Sequence, residues 1–74
     1  MMGTKHADTC RDNAADDEPL FTLRAHDKYA PVTVLYWADQ AEQAGAPDEK
    51  VAEARACAGR MLEWQRDNGA KVPD

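Results

Sequence analysis

His6 and Cys10 stand four residues apart, a spacing that would put two metal donors on one face of a helix. Two donors leave a tetrahedral zinc site half built, and the polar segment around them gives no reason for a helix, so no metal site is expected. Asp16-Asp17 and Asp48-Glu49 are paired carboxylates of the kind a general acid and base require. Splitting their roles needs two environments that push the pKa values apart, yet the first pair lies in a polar tail and the second in a solvated first helical turn. Nucleophilic catalysis has even less to work with. The sequence contains no serine, Cys10 has nothing to orient it, and Cys57 falls on an alanine-rich helical stripe, where a cysteine serves as a small buried hydrophobe. The glycines at 3, 45, 59 and 69 are too scattered for a phosphate-cradling loop. The chain reads as a non-enzyme, with no catalytic residue, no metal and no cofactor.

What remains is binding chemistry. Tyr, Trp and Arg supply most of the energy at protein interfaces, and the chain offers Phe21, Arg24, Tyr29, Tyr36, Trp37 and Trp64. Phe21, Trp37 and Trp64 are first read as core or dimer contacts. Arg24 and Tyr36, which fall off the apolar stripe, are the candidates for contacting a partner, together with Asp39 on the polar side of the first helix. His26, just ahead of Asp27, is assigned to the start of that helix as a polar or capping neighbour.

The elements that carry these residues are few. In 74 residues the chain has a net charge of −5, and the first eighteen residues hold Asp8, Asp12, Asp16, Asp17 and Glu18 against Lys5 and Arg11. That stretch has no large apolar side chain after Met2, so residues 1–18 are expected to form a disordered acidic tail. The acidic balance argues against direct nucleic-acid binding, which needs clustered Lys and Arg, and favours a partner with a basic surface. Two cysteines without a framework of paired spacings fit a reducing cytoplasm and no intrachain disulfide. The segment Met1-Met2-Gly3-Thr4-Lys5-His6 lacks the apolar stretch of a secretory signal, and no apolar run has the length of a membrane span.

Residues 19–26 are expected to form an extended arm. Phe21 and Leu23 would share a face if Leu20–Leu23 is a strand, which would have to pack on the helices or pair with the same segment of a second copy. A helical hairpin then occupies 27–69. Its first helix is expected from Asp27 to Ala44, with the Asp27 carboxylate accepting an early backbone hydrogen bond and Pro31 inside the first turn. Gly45 should close it in the left-handed conformation, and Pro47 should open a second helix running to Asn68-Gly69. Asp48 and Glu49 would complement the dipole of that helix. So short a connection requires antiparallel neighbours. Residues 70–74 are expected to be a short tail.

Helical spacing proposes Ala30, Val34, Trp37, Ala41 and Ala44 as the inner stripe of the first helix. The matching stripe of the second is Val51, Ala54, Ala58, Met61 and Gln65, widened by Cys57, Leu62 and Trp64. Val32, Leu35 and Tyr36 are left over, at the end of the hairpin that also holds Leu62. Each large apolar side chain contributes about 1.5–3 kcal/mol on full burial, so this surplus predicts a homodimer with a four-helix core at that end. The dimer and core set is Phe21, Val34, Leu35, Trp37, Met61, Leu62 and Trp64. The fold class is therefore all-α: an antiparallel two-helix hairpin with a short N-terminal arm, in a homodimeric four-helix arrangement.

The stretch Leu20-Phe21-Thr22-Leu23-Arg24-Ala25-His26-Asp27-Lys28-Tyr29-Ala30-Pro31 precedes Val34, Tyr36, Trp37 and Ala38; Lys50-Val51-Ala52-Glu53-Ala54 and Met61-Leu62-Glu63-Trp64 follow. Over residues 19–74 this pattern resembles a family of small helical-hairpin proteins of temperate phages and prophages. That family is similar to the phage-encoded quorum-sensing anti-activators of Pseudomonas phages. The resemblance implies a dimer that binds a host transcription regulator in the cytoplasm of the bacterial host, blocks its DNA-binding surface and has a second host target in pilus assembly. It implies no catalytic residue. Two other functions fit the same features: a counter-defence inhibitor that imitates nucleic acid toward a CRISPR complex, and a small interaction protein of virion assembly.

Overall fold

The computed structural model describes residues 13–73. Two helices make up its regular structure, α1 over Ala30–Gln43 and α2 over Asp48–Asn68, and they pack on one another along their length. Among the described residues there is no strand, and the only sheet-like feature is an isolated parallel bridge between Asp27 and Lys71. Most of the span given to the tail, including His6 and Cys10, lies outside the described residues. Within it, the Glu18 amide donates to the Ala15 carbonyl at 3.0 Å and the Ala15 amide to Glu18 Oε1 at 3.1 Å, closing a small turn.

α1 starts three residues later than the expected Asp27. The Asp27 carboxylate does accept a backbone hydrogen bond, from the Tyr29 amide at 2.8 Å, but that bond closes a turn ahead of the helix. Tyr29 then occupies the N-cap position without a side-chain cap, and Pro31 falls in the first turn, where its missing amide is harmless. At the other end Ala44 is the cap, and Gly45 takes φ +89°. The Gly45 amide donates to Glu42 O at 3.1 Å and the Ala46 amide to Ala41 O at 2.9 Å, the paired bonds of a Schellman motif. Pro47 is the N-cap of α2 and not its first helical residue, since its extended ψ of 137° lets its carbonyl receive the Lys50 and Val51 amides. Asp48 and Glu49 lie in the first turn as expected. α2 ends at Asn68, with Gly69 at φ +87°.

The core is a zipper of small side chains. Near the loop, Ala38, Val51 and Ala54 are buried with Val34, Ala41 and Ala46 against them. Near the open end, Ala30, Cys57 and Met61 are buried with Leu23, Ala25 and Val34 packed on them. Late α1 meets early α2 and early α1 meets late α2, so the hairpin is antiparallel. The inner stripe of α1 is therefore Ala30, Val34, Ala38 and Ala41. Trp37 and Ala44, expected on it, are exposed. One position is about 100° of rotation, and alanines at the contact let the backbones approach in a way an indole would prevent. On α2 every expected inner residue from Val51 to Gln65 is buried or half-buried, while Leu62 and Trp64 are exposed.

The flanking segments are tied in as well. Leu23 and Ala25 pack on the open-end cluster, whereas Phe21 is 87% exposed, so the two residues expected to share a face do not. The Lys71 amide donates to His26 O at 3.0 Å and the Lys28 amide to Lys71 O at 2.9 Å, which fastens the C-terminal segment to the approach to α1. Gln65 completes the tie, its Nε2 donating to the carbonyls of both Ala25 at 2.8 Å and Asp27 at 2.9 Å. Gln65→Met keeps the length of the side chain and removes both bonds. It should lower stability by about 1–3 kcal/mol, the cost of leaving the Ala25 carbonyl unsatisfied, since the Asp27 carbonyl keeps the Ala30 amide at 3.0 Å, and accelerate hydrogen exchange at the Lys28 amide.

Candidate interaction surface

A seam built from alanines leaves the larger apolar side chains outside. Leu20, Phe21, Tyr29, Val32, Leu35, Tyr36, Trp37, Leu62, Trp64 and Val72 are all exposed, and among the described residues no side chain larger than Met61 is buried. Scattered singly these would be ordinary surface, but the helices gather several of them.

One ion-pair network fixes which residues share an edge. Arg55 of α2 reaches across to α1, with Nη2 2.9 Å from Asp39 Oδ1 and 2.9 Å from Glu42 Oε1, and with Nη1 3.3 Å from Glu42 Oε2. Leu35 precedes Asp39 by four residues and Glu42 by seven, and Leu62 follows Arg55 by seven. Both leucines therefore lie on this same edge, displaced together toward the open end, with Val32 beside them toward the outer face. Trp37 and Trp64 are each two residues from one of these leucines, about 200° around their helices, which puts both on the opposite edge. There the Trp64 ring meets His26 edge-on at 5.7 Å.

The Arg55 network also carries the main electrostatic perturbation. Hydrogen bonding and charge from Arg55 hold the Glu42 carboxyl below the usual carboxylate range, and the two carboxylates push the Arg55 guanidinium further up. The folded-state pKa of Glu42 is depressed, so the contribution is present above the ordinary carboxylate value and is lost as pH falls through the folded one. The groups are solvent-exposed, so the effect is small. In thermal melts Arg55→Met should lower the midpoint modestly at neutral pH, and the difference from the parent chain should shrink as the pH falls below the usual carboxylate range and Glu42 takes up a proton.

The three candidate partner contacts are not brought together. Arg24 lines a shallow depression of about 240 Å³ at the open end with Thr22, His26, Asp27, Lys71 and Pro73. Tyr36 is 67% exposed on the outer face of α1. Asp39 is held in the Arg55 network, on a different side from Arg24. Of the dimer and core set, Val34 and Met61 pack inside the chain, and Phe21, Leu35, Trp37, Leu62 and Trp64 point to solvent. Cys57 is a buried free thiol in the open-end cluster. No group of three or more potential metal ligands occurs among the described residues.

Sequence reasoning missed the Arg55 network and the Gln65 tie. A glutamine at an inner position four residues after Met61 carried a signal, because a polar group there has to find hydrogen-bond partners. The Arg55 pairing depends on the register of the hairpin, which no local pattern gives.

The chain matches no family model, no curated protein and no solved structure. Among the described residues no helix is long and apolar enough to cross a membrane. Function therefore has to be argued from the surface.

Proposed function

We propose that this chain is a phage-encoded protein-binding inhibitor, acting as a homodimer in the cytoplasm of the bacterial host, that sequesters a host regulatory protein. The target that fits its features is a quorum-sensing transcription activator, held so that its DNA-binding surface is blocked. The observation that carries this reading is the placement of Trp37, Trp64 and Tyr36 on the surface of a fold whose seam accepts only small side chains. Aromatic side chains left in solvent are expensive unless a partner covers them, and they are the commonest anchors of protein interfaces.

Charge supports a basic partner. Around the loop end stand Asp39, Glu42, Asp48, Glu49 and Glu53 against Lys50 and Arg55. An acidic end of this kind complements the Lys- and Arg-rich surface with which a regulator meets DNA and speeds encounter with it. The resemblance to phage hairpin proteins agrees with this choice of target. Blocking needs no chemistry from the inhibitor, only a surface that competes with phosphates.

The test is competition. A labelled operator duplex is bound to the DNA-binding domain of the host activator, and the purified chain is titrated in while anisotropy is read. Release of the DNA is expected, with Trp37→Ala and Tyr36→Ala together weakening it at least tenfold while helicity is retained. No release at tens of micromolar chain would refute the proposed target.

A further inference from the structure

Asn68 and Gly69 form the exit from α2, and their types react with one another. An asparagine side-chain amide is open to attack by the main-chain nitrogen of the next residue, and glycine leaves that nitrogen unhindered. The sequence has two asparagines, and the other, Asn13, precedes alanine. The fold itself demands the glycine. Gly69 has φ +87° and ψ 164°, a backbone region open essentially to glycine alone, whereas nothing about a helical position 68 requires asparagine. Both residues are exposed, and a Cβ built on Gly69 meets no atom within 4 Å, so water reaches the pair.

Two hydrogen bonds hold the reacting groups apart in the folded chain. The Gly69 amide donates to Gln65 O at 2.7 Å, which keeps the nucleophilic nitrogen in the last helical turn. Asn68 Nδ2 donates to Trp64 O at 3.0 Å, which turns the side-chain amide back along the helix, away from that nitrogen. Two residues beyond Gly69 the chain is fastened again, the Lys71 amide donating to His26 O at 3.0 Å and the Lys71 carbonyl accepting from the Lys28 amide at 2.9 Å. Attack therefore requires the last turn of α2 to open, and the Lys71 clip restrains that opening.

We propose that Asn68-Gly69 is a self-modification site, an asparagine deamidation gated by the last turn of α2 with water as its only co-reactant. In the opened turn the Gly69 nitrogen gives its proton to solvent base and bonds to Asn68 Cγ, while the Cγ–Nδ2 bond breaks and the amide nitrogen leaves as ammonia. Water then opens the cyclic imide. Cleavage of the new Cγ–N bond leaves aspartate; cleavage of the original peptide bond leaves isoaspartate, whose main chain is one carbon longer. Either product sets a carboxylate at the carbonyl end of α2, where the helix dipole disfavours it, and removes the donor to Trp64 O. Isoaspartate also displaces the point from which Lys71 reaches His26 and Lys28. Conversion thus loosens the C-terminal clip. The site is independent of the proposed partner and of association.

The experiment is incubation of the full chain in mildly alkaline buffer, with peptide mapping by mass spectrometry and an isoaspartate-specific methyltransferase as the probe of linkage. Asn68 should convert in the folded chain about tenfold or more slowly than in the same chain dissolved in urea. Lys71→Pro, which deletes the amide bonded to His26, should convert about threefold faster than Lys71→Ala, which keeps it. The recovered product should exchange its Lys28 amide faster than the parent does. Equal rates in buffer and in urea, or no acceleration in Lys71→Pro over Lys71→Ala, overturn the gate. Absence of conversion at Asn68 in the folded chain overturns the site, and unchanged exchange at Lys28 in the product overturns the loosening. Circular dichroism shows whether Lys71→Pro folds; if it does not, the comparison of buffer with urea decides the gate.

Discussion

Met61→Ala is expected to destabilise the fold by about 2–5 kcal/mol, the range for truncating a large buried side chain. Met61 is the largest side chain in the core, where it joins Ala30 and Cys57 and receives Leu23, Ala25 and Val34. The other buried members, Ala30 and Cys57, are too short to close over the void, and the segment carrying Leu23 and Ala25 rests on this same cluster. The loss would consume a large part of the roughly 5–15 kcal/mol by which small domains are stable. A urea titration followed by circular dichroism would show it as a lower midpoint. A shift equivalent to less than about 1 kcal/mol would mean that the open-end cluster is not where the hairpin is held.

Ala58→Leu is expected to act in the opposite sense and reach a similar result. Ala58 has no solvent exposure and lies in the stripe of α2 that meets α1. Adding an isobutyl group to a contact already filled by alanines forces the helices apart or drives the side chain out of a staggered rotamer, which costs typically about 1–3 kcal/mol. The separation would also stretch Arg55 away from Asp39 and Glu42, whose bonds of 2.9 Å depend on the present spacing. Denaturant melts measure the loss. Unchanged stability would show that the helices are not in close contact there. A neighbouring control is built into α2, because Ala56→Leu, at an exposed position, should change stability little.

Much of the hairpin was legible because its punctuation is chemical. Gly45 ends α1 since only glycine adopts positive φ there without strain, and Asn68-Gly69 ends α2 for the same reason. Pro47 was placed one residue too far into α2, and Asp27 three residues too early for α1; in both cases the residue types were right and the backbone state was not fixed by type. The error at Trp37 is more instructive. From Val34, a step of three reaches Trp37 and a step of four reaches Ala38, and both are apolar and allowed by helical geometry. Only the separation of the helices decides between them, and that is set by the alanines of α2, thirteen residues or more away. Arg55 with Asp39, and Gln65 with the Ala25 and Asp27 carbonyls, depend on register in the same way. As for the candidate site, periodicity identified Leu35, Tyr36 and Leu62 as surplus, but the division of the exposed residues between two edges needed the cross-hairpin ion pair.

That division has a functional consequence. On the proposed reading, a chain that stays associated with its copy while it captures a regulator needs two surfaces that do not compete. The aliphatic edge and the Trp37 and Trp64 edge face away from each other, and the acidic loop end is accessible from either.

The claim on which the rest depends is that this thin alanine core is completed by a second copy. Sedimentation equilibrium of the full chain at low micromolar concentration tests it directly. The account predicts a single species of twice the chain mass; a helical species of one chain mass would contradict it.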